Sequence, residues 1–156
     1  GGFIGSPSMN FFDATIMEDP DSEGVGLKVD TGVFSLHVPP KIAEAYRSHV
    51  GKKVIFGIRP EDIHDREFQP PGIVPANIEA NVDVVEQMGH EMILYLEDSG
   101  KSYIARVDPR TSAHVGGRIG MVVNMDNMHI FDVDTELSVA YDHKLEELQK
   151  REAALA

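Results

Sequence analysis

The feature that most constrains the fold is the alternation of apolar and polar residues with period two in several short, separate windows. In the clearest window, Ile78, Ala80, Val82 and Val84 share one face, and polar residues stand between them. Such alternation is typical of a strand with one face on a core and the other in water. The pattern recurs at Phe11–Met17, Leu27–Asp30, Val33–Val38, Val54–Ile58, Met92–Leu96, Tyr103–Val107 and Met121–Val123. Short strands separated by turn residues favour a closed or partly closed antiparallel barrel.

Two segments depart from this pattern and predict helices. The first begins after Pro39-Pro40 and stops at Gly51, and its apolar residues are spaced by three and four. The second begins near Tyr141, where glutamates stand four residues before a lysine or an arginine, as in an exposed helix. The loop Gln69–Gly72 is interpreted as a long connection inside one domain.

Composition excludes several classes of function. The chain has 156 residues, no cysteine, and 26 acidic against 14 basic side chains, for a formal net charge of -12. Without cysteine there are no disulfides, no thiol catalysis and no cysteine-based zinc sites. The negative charge repels a phosphate backbone on average, so we expect no nucleic-acid binding. No window approaches the roughly 18 apolar residues of a membrane span.

Familiar catalytic motifs fail on spacing. Gly100-Lys101-Ser102 is similar to the end of a phosphate-binding loop, but Tyr95 occupies the position of the earlier glycine, so a hairpin turn is the better interpretation. His90-Glu91 begins a zinc-protease motif, yet Leu94 stands where the second histidine is required. We therefore predict no catalytic residues, no metal site and no bound cofactor in this chain.

An acidic turn and the scattered histidines also have simple interpretations. Glu18, Asp19, Asp21 and Glu23 crowd one turn, which favours a solvated hairpin tip over a calcium loop because the twelfth position is Asp30 rather than glutamate. The histidines do not cluster, and His37, His49 and His129 are interpreted as packing or locally hydrogen-bonded residues.

Three ordered segments, with a closing fourth, carry a family resemblance. They are Phe3–Phe11, Gly57–Ile63 (Gly-Ile-Arg-Pro-Glu-Asp-Ile), Val84–Glu91 (Val-Val-Glu-Gln-Met-Gly-His-Glu) and His129–Asp132. Together they resemble the C-terminal regulatory domain of the ATP-binding subunits of ABC sugar importers, in the group serving maltose, multiple sugars and glycerol 3-phosphate. The chain also begins at Gly1 without a methionine, which is typical of a piece of a longer protein.

The resemblance implies a mainly β fold, an OB-like (TOBE) antiparallel barrel with one short internal helix and a C-terminal helix. It implies a junction over residues 1–10, the OB-type regulatory domain over 11–136 and a helical tail over 137–156. The parent protein would be an ABC-transporter ATPase whose ATP and magnesium bind in a nucleotide-binding domain outside this chain. The fragment itself would be non-catalytic and would couple ATP hydrolysis to carbohydrate uptake.

The resemblance also implies partners and site residues. We expect a homodimer formed through this domain, permease subunits reached through the ATPase domain, a regulatory partner protein, and a position at the cytoplasmic face of the membrane. Gly57, Arg59, Pro60 and Glu61 form the structural family motif, and Glu86 and Ser99 are candidates for a partner-facing surface. Proline after Arg59 predicts that a strand ends there with the arginine near the surface, where it caps carbonyls or pairs with Glu61 or Asp62.

Two alternatives stay open. One is a stand-alone barrel that binds a small ligand or an oxyanion, because related barrels bind molybdate in other proteins. The other is an OB barrel that binds oligonucleotides, which the charge and the 7% aromatic content disfavour.

Overall fold

The computed structural model describes residues 9–20, 26–74 and 76–155 and is mainly β. Its ten strands are β1 (Asn10–Asp19), β2 (Gly26–Asp30), β3 (Ser35–His37), β4 (Lys53–Ile58), β5 (Ile63–Asp65), β6 (Ala76–Met88), β7 (Glu91–Asp98), β8 (Lys101–Val107), β9 (Arg118–Val123) and β10 (His129–Asp132). Its two α-helices are α1 (Pro40–Ala43) and α2 (Val139–Leu155). Every window predicted from period two contributes to one of these strands.

The strands form two five-stranded sheets, in the orders β10-β4-β1-β2-β3 and β5-β9-β6-β7-β8. By its contacts the chain divides into two compact units. The first unit consists of the residues up to Phe11 and of Ile58–Asn127. The second unit consists of Phe12–Gly57 and of the residues from Met128 onward. The loop Gln69–Gly72 lies inside the first unit, as predicted. The single domain boundary at 11–136 stays a prediction.

The first unit is a curled antiparallel sheet. All four of its strand pairs are antiparallel, and its outermost strands β5 and β8 contact each other, so the sheet bends back on itself. Its core is built from alternate residues of the strands, among them Ile78, Ala80, Leu94, Ala105 and Met121, each buried. This arrangement agrees with the OB-like barrel that the sequence predicts.

The second unit holds a cluster of phenylalanines. Phe12 on β1 and Phe56 on β4 are buried, and their ring centroids lie 6.0 Å apart. Phe34 packs edge-on against both, at 5.1 Å from Phe12 and 6.2 Å from Phe56. The hairpin predicted for this region is confirmed, because β2 and β3 pair antiparallel. β1 and β4 are neighbours in the sheet, and the chain makes a parallel bridge between Ile16 and Val50.

The internal helix begins and ends where predicted, but it changes from an α-helix to a 3-10 helix along its length. After α1 the chain tightens into a 3-10 helix over Glu44–His49, and Gly51 follows with φ +80°. The buried residues Ala43 and Tyr46 are three apart, which matches the three residues per turn of a 3-10 helix. The predicted spacing of three and four was therefore only partly right.

The C-terminal helix α2 begins at Val139, two residues before the predicted start. Val139 is buried, and α2 contacts β10 and the 3-10 helix Glu44–His49. The side chains from Glu146 to Leu155 are exposed, as predicted for this helix. Among the described residues, no helix is long and apolar enough to cross a membrane.

The acidic turn is resolved only in part. Asp21 and Glu23 lie outside the described residues. Asp19 is buried at the end of β1, and its carboxylate contacts Nδ1 of His37 on β3. For Asp19 the prediction of a solvated hairpin tip was therefore wrong, because its carboxylate is buried and has a partner on β3, the strand beyond β2. His37 and His129 lie in strands, and His129 stacks on Phe131.

Stability at high pH is expected to depend on Tyr103, a buried residue of β8. Burial, assisted by Asp98, raises the pKa of Tyr103 above its ordinary value. The stability that the buried, neutral Tyr103 contributes is fully present while the pH is below the unfolded pKa of about 10. It is lost as the pH rises toward the folded pKa. Urea titrations between pH 9 and 12 should show stability falling, and Tyr103→Phe should reduce the slope by up to about 1.4 kcal/mol per pH unit. An unchanged slope in the variant would contradict this.

Candidate functional site

The segment Gly57–Ile63 begins where β4 ends. β4 stops at Ile58, and Arg59 is extended, with φ -77° and ψ 150°, and exposed. Gly57 and Pro60 are buried, whereas Glu61 points to solvent. The predicted end of the strand before Pro60 is thus confirmed, because the proline opens a 3-10 turn over Pro60–Asp62. The partner of the Arg59 side chain stays a prediction.

Asp62 holds this turn in place. Its backbone N–H donates to the carbonyl of Arg59 at 3.0 Å, and its own carbonyl accepts from the N–H of Asn124 at 2.8 Å. Its carboxylate, in a residue only 8% exposed, accepts from Nδ2 of Asn127 at 2.7 Å. A buried carboxylate needs such donors. The sequence predicts Asp62 only as a candidate partner of Arg59, so its anchoring role was missed.

A second buried carboxylate lies three residues further on. Asp65 ends β5 and accepts from the hydroxyl of Thr111 at 2.6 Å and from the N–H of Glu67 at 3.0 Å. The loop that brings Thr111 also carries Arg110, whose guanidinium lies 4.6 Å from the centre of the Phe68 ring. Arg110 pairs with Asp108 at 3.0 Å and holds the pKa of that carboxyl below its usual value.

His64 lies between the two buried aspartates in the sequence, and burial lowers its pKa while Asp62 opposes the shift. The imidazole is therefore mostly neutral at pH 7. His64 is itself a residue of strand β5. In the part of the chain that the structure describes, no group of three or more histidines and carboxylates is placed to hold a metal ion. Asp62 and Asp65, through the hydrogen bonds that their carboxylates accept, are structural anchors.

Asn10 is another residue whose role the sequence pattern does not predict. Its carboxamide lies beside the outer edge of β8, where Nδ2 donates to the carbonyl of Ile104 at 2.8 Å and Oδ1 accepts from the N–H of Ile104 at 2.9 Å. Both bonds go to one residue, so the amide takes the place of a neighbouring strand at this point of the edge. Asparagine is one of the side chains that offer a donor and an acceptor together.

The two candidate partner-facing residues lie near opposite ends of β7. Glu86 is exposed on β6 and pairs with Ile93, whereas Ser99 follows the end of β7 in the turn to β8. Ser99 lies six positions after Ile93, which corresponds to about 20 Å of extended chain. A surface that uses both residues must therefore follow the length of β7, and this role stays a prediction.

The turn at Ser99 is the hairpin turn that the sequence predicts in place of a phosphate loop. Asp98 pairs with Lys101, and Ser99 and Gly100 take positive φ values of 51° and 81°. The N–H of Gly100 donates to the Glu97 carboxylate at 2.9 Å, and this bond lowers the pKa of Glu97.

A β-bulge divides the outer face of β6, opposite the core. The register with β7 shifts between Val82 and Val84, and Val84 is 46% exposed although the alternation predicts it on the buried face. That prediction was wrong, because the bulge inserts one residue and reverses the side on which later residues project. Before the bulge the face is polar: Arg118 bonds to Asn81, which bonds to Glu97.

Immediately after the bulge the outer face carries one apolar row. Val84 lies opposite Tyr95, and Tyr95 lies opposite Ile104, so the three side chains form a row across β6, β7 and β8. Tyr95 and Ile104 are half-buried. A groove with a volume of about 540 Å³ runs beside this row, and Asp83 and Lys101 contribute to its lining.

Comparison with known proteins places these features in context. Residues 5–63 match the family model of the MalK OB fold domain, and residues 56–131 match the model of the TOBE domain. The chain is 36% identical over 141 residues to an oligosaccharides import ATP-binding protein of Bacillus subtilis, with 89% of this chain and 36% of the relative covered.

Two further relatives give the same result. A trehalose/maltose import ATP-binding protein of Thermococcus litoralis is 38% identical, with 86% of this chain and 35% of the relative covered. A multiple sugar-binding transport ATP-binding protein of Streptococcus mutans is 36% identical, with 88% and 35% covered. The chain thus spans about a third of the length of these relatives.

Proposed function

Because this chain belongs to the family of MalK-type OB and TOBE domains found in the ATP-binding proteins of sugar importers, we propose that it is the C-terminal regulatory and dimerisation domain of such a subunit. In this role it couples ATP hydrolysis in a separate nucleotide-binding domain to carbohydrate uptake. ATP and magnesium bind in that other domain, and this chain is non-catalytic. The observation that carries the proposal is that the two family models together match residues 5–131.

The anchored turns support a mechanical role. Asp62 and Asp65 fix the segment after β4 to the turns at Asn127 and Thr111, and Asn10 fixes the start of β1 to β8. These bonds join residues 94, 65 and 46 positions apart, so they make the first unit a stiff body. A stiff body is what a regulatory domain requires if it is to hold two ATPase domains together while they open and close.

The proposed partners follow from the same role. They are a second copy of the subunit, the permease subunits that the ATPase domain contacts, and a regulatory protein that reads a surface near Glu86 and Ser99. The place of action is the cytoplasmic face of the cell membrane, and nucleic acid is not a partner.

A chimera tests the proposal. The corresponding third of the Bacillus subtilis oligosaccharides import ATP-binding protein is replaced by this chain, and uptake is measured in cells that lack the native subunit. We expect uptake above that of a control from which the third is deleted. A folded chimera that hydrolyses ATP but supports no more uptake than the deletion would contradict the coupling role.

A second experiment separates this proposal from the small-ligand alternative. The purified chain is assayed for ATP hydrolysis and titrated calorimetrically with molybdate, tungstate and sugars. We expect no hydrolysis and no heat of binding. Substantial hydrolysis would overturn the non-catalytic assignment, and saturable binding of an oxyanion would favour the stand-alone barrel.

A further inference from the structure

Asn10 breaks the pattern of the strand that it begins. Along β1 the alternate residues Asn10, Phe12, Ala14 and Ile16 form the buried series, and Asn10 is the polar member of that series. A buried carboxamide costs free energy unless its polar atoms are hydrogen-bonded, so an apolar side chain would serve stability at lower cost. Positions at which a sequence departs from its own local pattern are expected at functional sites.

The two hydrogen bonds between Asn10 and Ile104, which we call the Asn10–Ile104 link, fix both distance and orientation. The carboxamide donates to the carbonyl of Ile104 and accepts from its N–H. A single bond would let the two groups pivot about it, whereas two bonds in opposite directions set their relative orientation as well. β8 is paired with β7 along its whole length. A displacement of Asn10 is therefore carried into the sheet of the first unit.

The position of Asn10 along the chain decides what the link can transmit. In the subunit proposed above, the ATPase domain precedes this chain, so its movements reach the chain from the N-terminal side. Asn10 belongs to the first unit, and the chain passes into the second unit after Phe11. Phe12 is then buried among the phenylalanines of that second unit. The incoming chain is thus bonded to β8 before it enters the second unit.

We propose that Asn10 is the positioning residue through which movement of the preceding ATPase domain is transmitted to the sheet β5-β9-β6-β7-β8. It acts through the Asn10–Ile104 link and makes no contribution of its own to ATP hydrolysis. The inference rests on the proposed function, which assigns coupling to this chain, and it adds the residue at which that coupling enters the first unit.

Hydrogen exchange of the purified chain tests the link itself. In Asn10→Ala the N–H of Ile104 loses its acceptor, and its protection factor should fall at least about tenfold. The N–H of the next residue, Ala105, points to the opposite side of β8, toward β7, and its protection should fall less than about threefold. Asn77→Ala, at an exposed asparagine of β6, is the matched control and should change neither amide by more than about twofold.

A pH profile separates the hydrogen bonds from simple packing. Asn10→Asp keeps the shape of the side chain, but its carboxylate has no donor for the carbonyl of Ile104. Protonation restores that donor, and burial favours the protonated form, so the link re-forms as the pH falls. Relative to wild type, the protection of Ile104 should be at least about tenfold lower at a pH of about 7.5 and within about threefold at a pH of about 4.5. Asn10→Ala should show no recovery.

The chimera described above tests the transmission. Asn10→Ala should lower sugar uptake per ATP hydrolysed at least about fivefold, while the rate of ATP hydrolysis changes less than about twofold. Asn127→Ala is the control for lost stability, because it removes another buried hydrogen bond of the first unit at a residue far along the chain from Asn10. It should leave uptake per ATP within about twofold of wild type.

The outcomes decide the proposal. Equal loss of protection at Ile104 and Ala105, or an Asn10→Asp variant without pH dependence, would overturn the link. Equal loss of uptake per ATP in Asn10→Ala and Asn127→Ala would overturn the transmission. A wild-type chimera without uptake would contradict the proposed function itself. Faster exchange at Ile104 with undiminished uptake would contradict the role of Asn10 alone and leave the coupling role of the chain standing.

Discussion

Phe12→Ala should lower the free energy of unfolding by about 3–5 kcal/mol, the cost of removing a fully buried phenylalanine. Phe12 is 2% exposed and touches the rings of Phe34 and Phe56. Its removal takes apolar surface away from the core and leaves a cavity that two remaining rings cannot fill without leaving their edge-on geometry. Urea denaturation followed by circular dichroism measures the change.

The adjacent residue supplies a matched control. Phe11 is 51% exposed, and Phe11→Ala deletes the same atoms one position earlier in β1. It should cost less than about 1 kcal/mol, because most of its surface is already in water. If the two variants lost similar stability, the assignment of Phe12 to the core and Phe11 to the surface would be wrong.

Asn127→Ala should destabilise the first unit by about 2–3 kcal/mol. The change removes the side-chain donor that Asp62 receives at 2.7 Å and leaves a carboxylate that is only 8% exposed without it. A buried charge that loses its hydrogen-bond donor costs more than the bond itself contributes, because the desolvation of the charge is no longer compensated.

A double-mutant cycle distinguishes this cause from a general loss of packing. In an Asp62→Asn background the buried group is neutral, and Asn127→Ala should then cost roughly half as much. Asn77→Ala, at an exposed asparagine of β6, serves as the surface control and should change stability by less than about 0.5 kcal/mol. An undiminished cost in the Asp62→Asn background would contradict the role given to the charge.

The alternation of apolar residues was sufficient to find eight of the ten described strands, because a strand with one face on a core must repeat every two residues. It did not find the short strands β5 and β10. It could not find the bulge in β6. Val84 and Val85 are adjacent and chemically alike, so either can face the core, and only the pairing with β7 decides between them. The side on which Val84 projects therefore could not be predicted from the local pattern.

The anchors were missed for a different reason. Asp62 and Asn127 are 65 residues apart, and Asn10 and Ile104 are 94 residues apart. In a chain of mixed composition, the sequence around a polar residue does not show that a distant group will form a hydrogen bond with it, because its burial depends on tertiary pairing. The segment Gly57–Ile63 was located by resemblance, but which of its residues hold the turn follows only from the hydrogen bonds around Asp62.

The division of the chain into compact units affects how this protein can be altered by recombination. Each unit is assembled from two separate stretches of sequence, and the polypeptide passes from one unit to the other after Phe11, after Gly57 and after Asn127. No single continuous excision removes one unit and leaves the other whole. Neither unit can therefore be gained, lost or exchanged between genes as a cassette, and the two are expected to be inherited together.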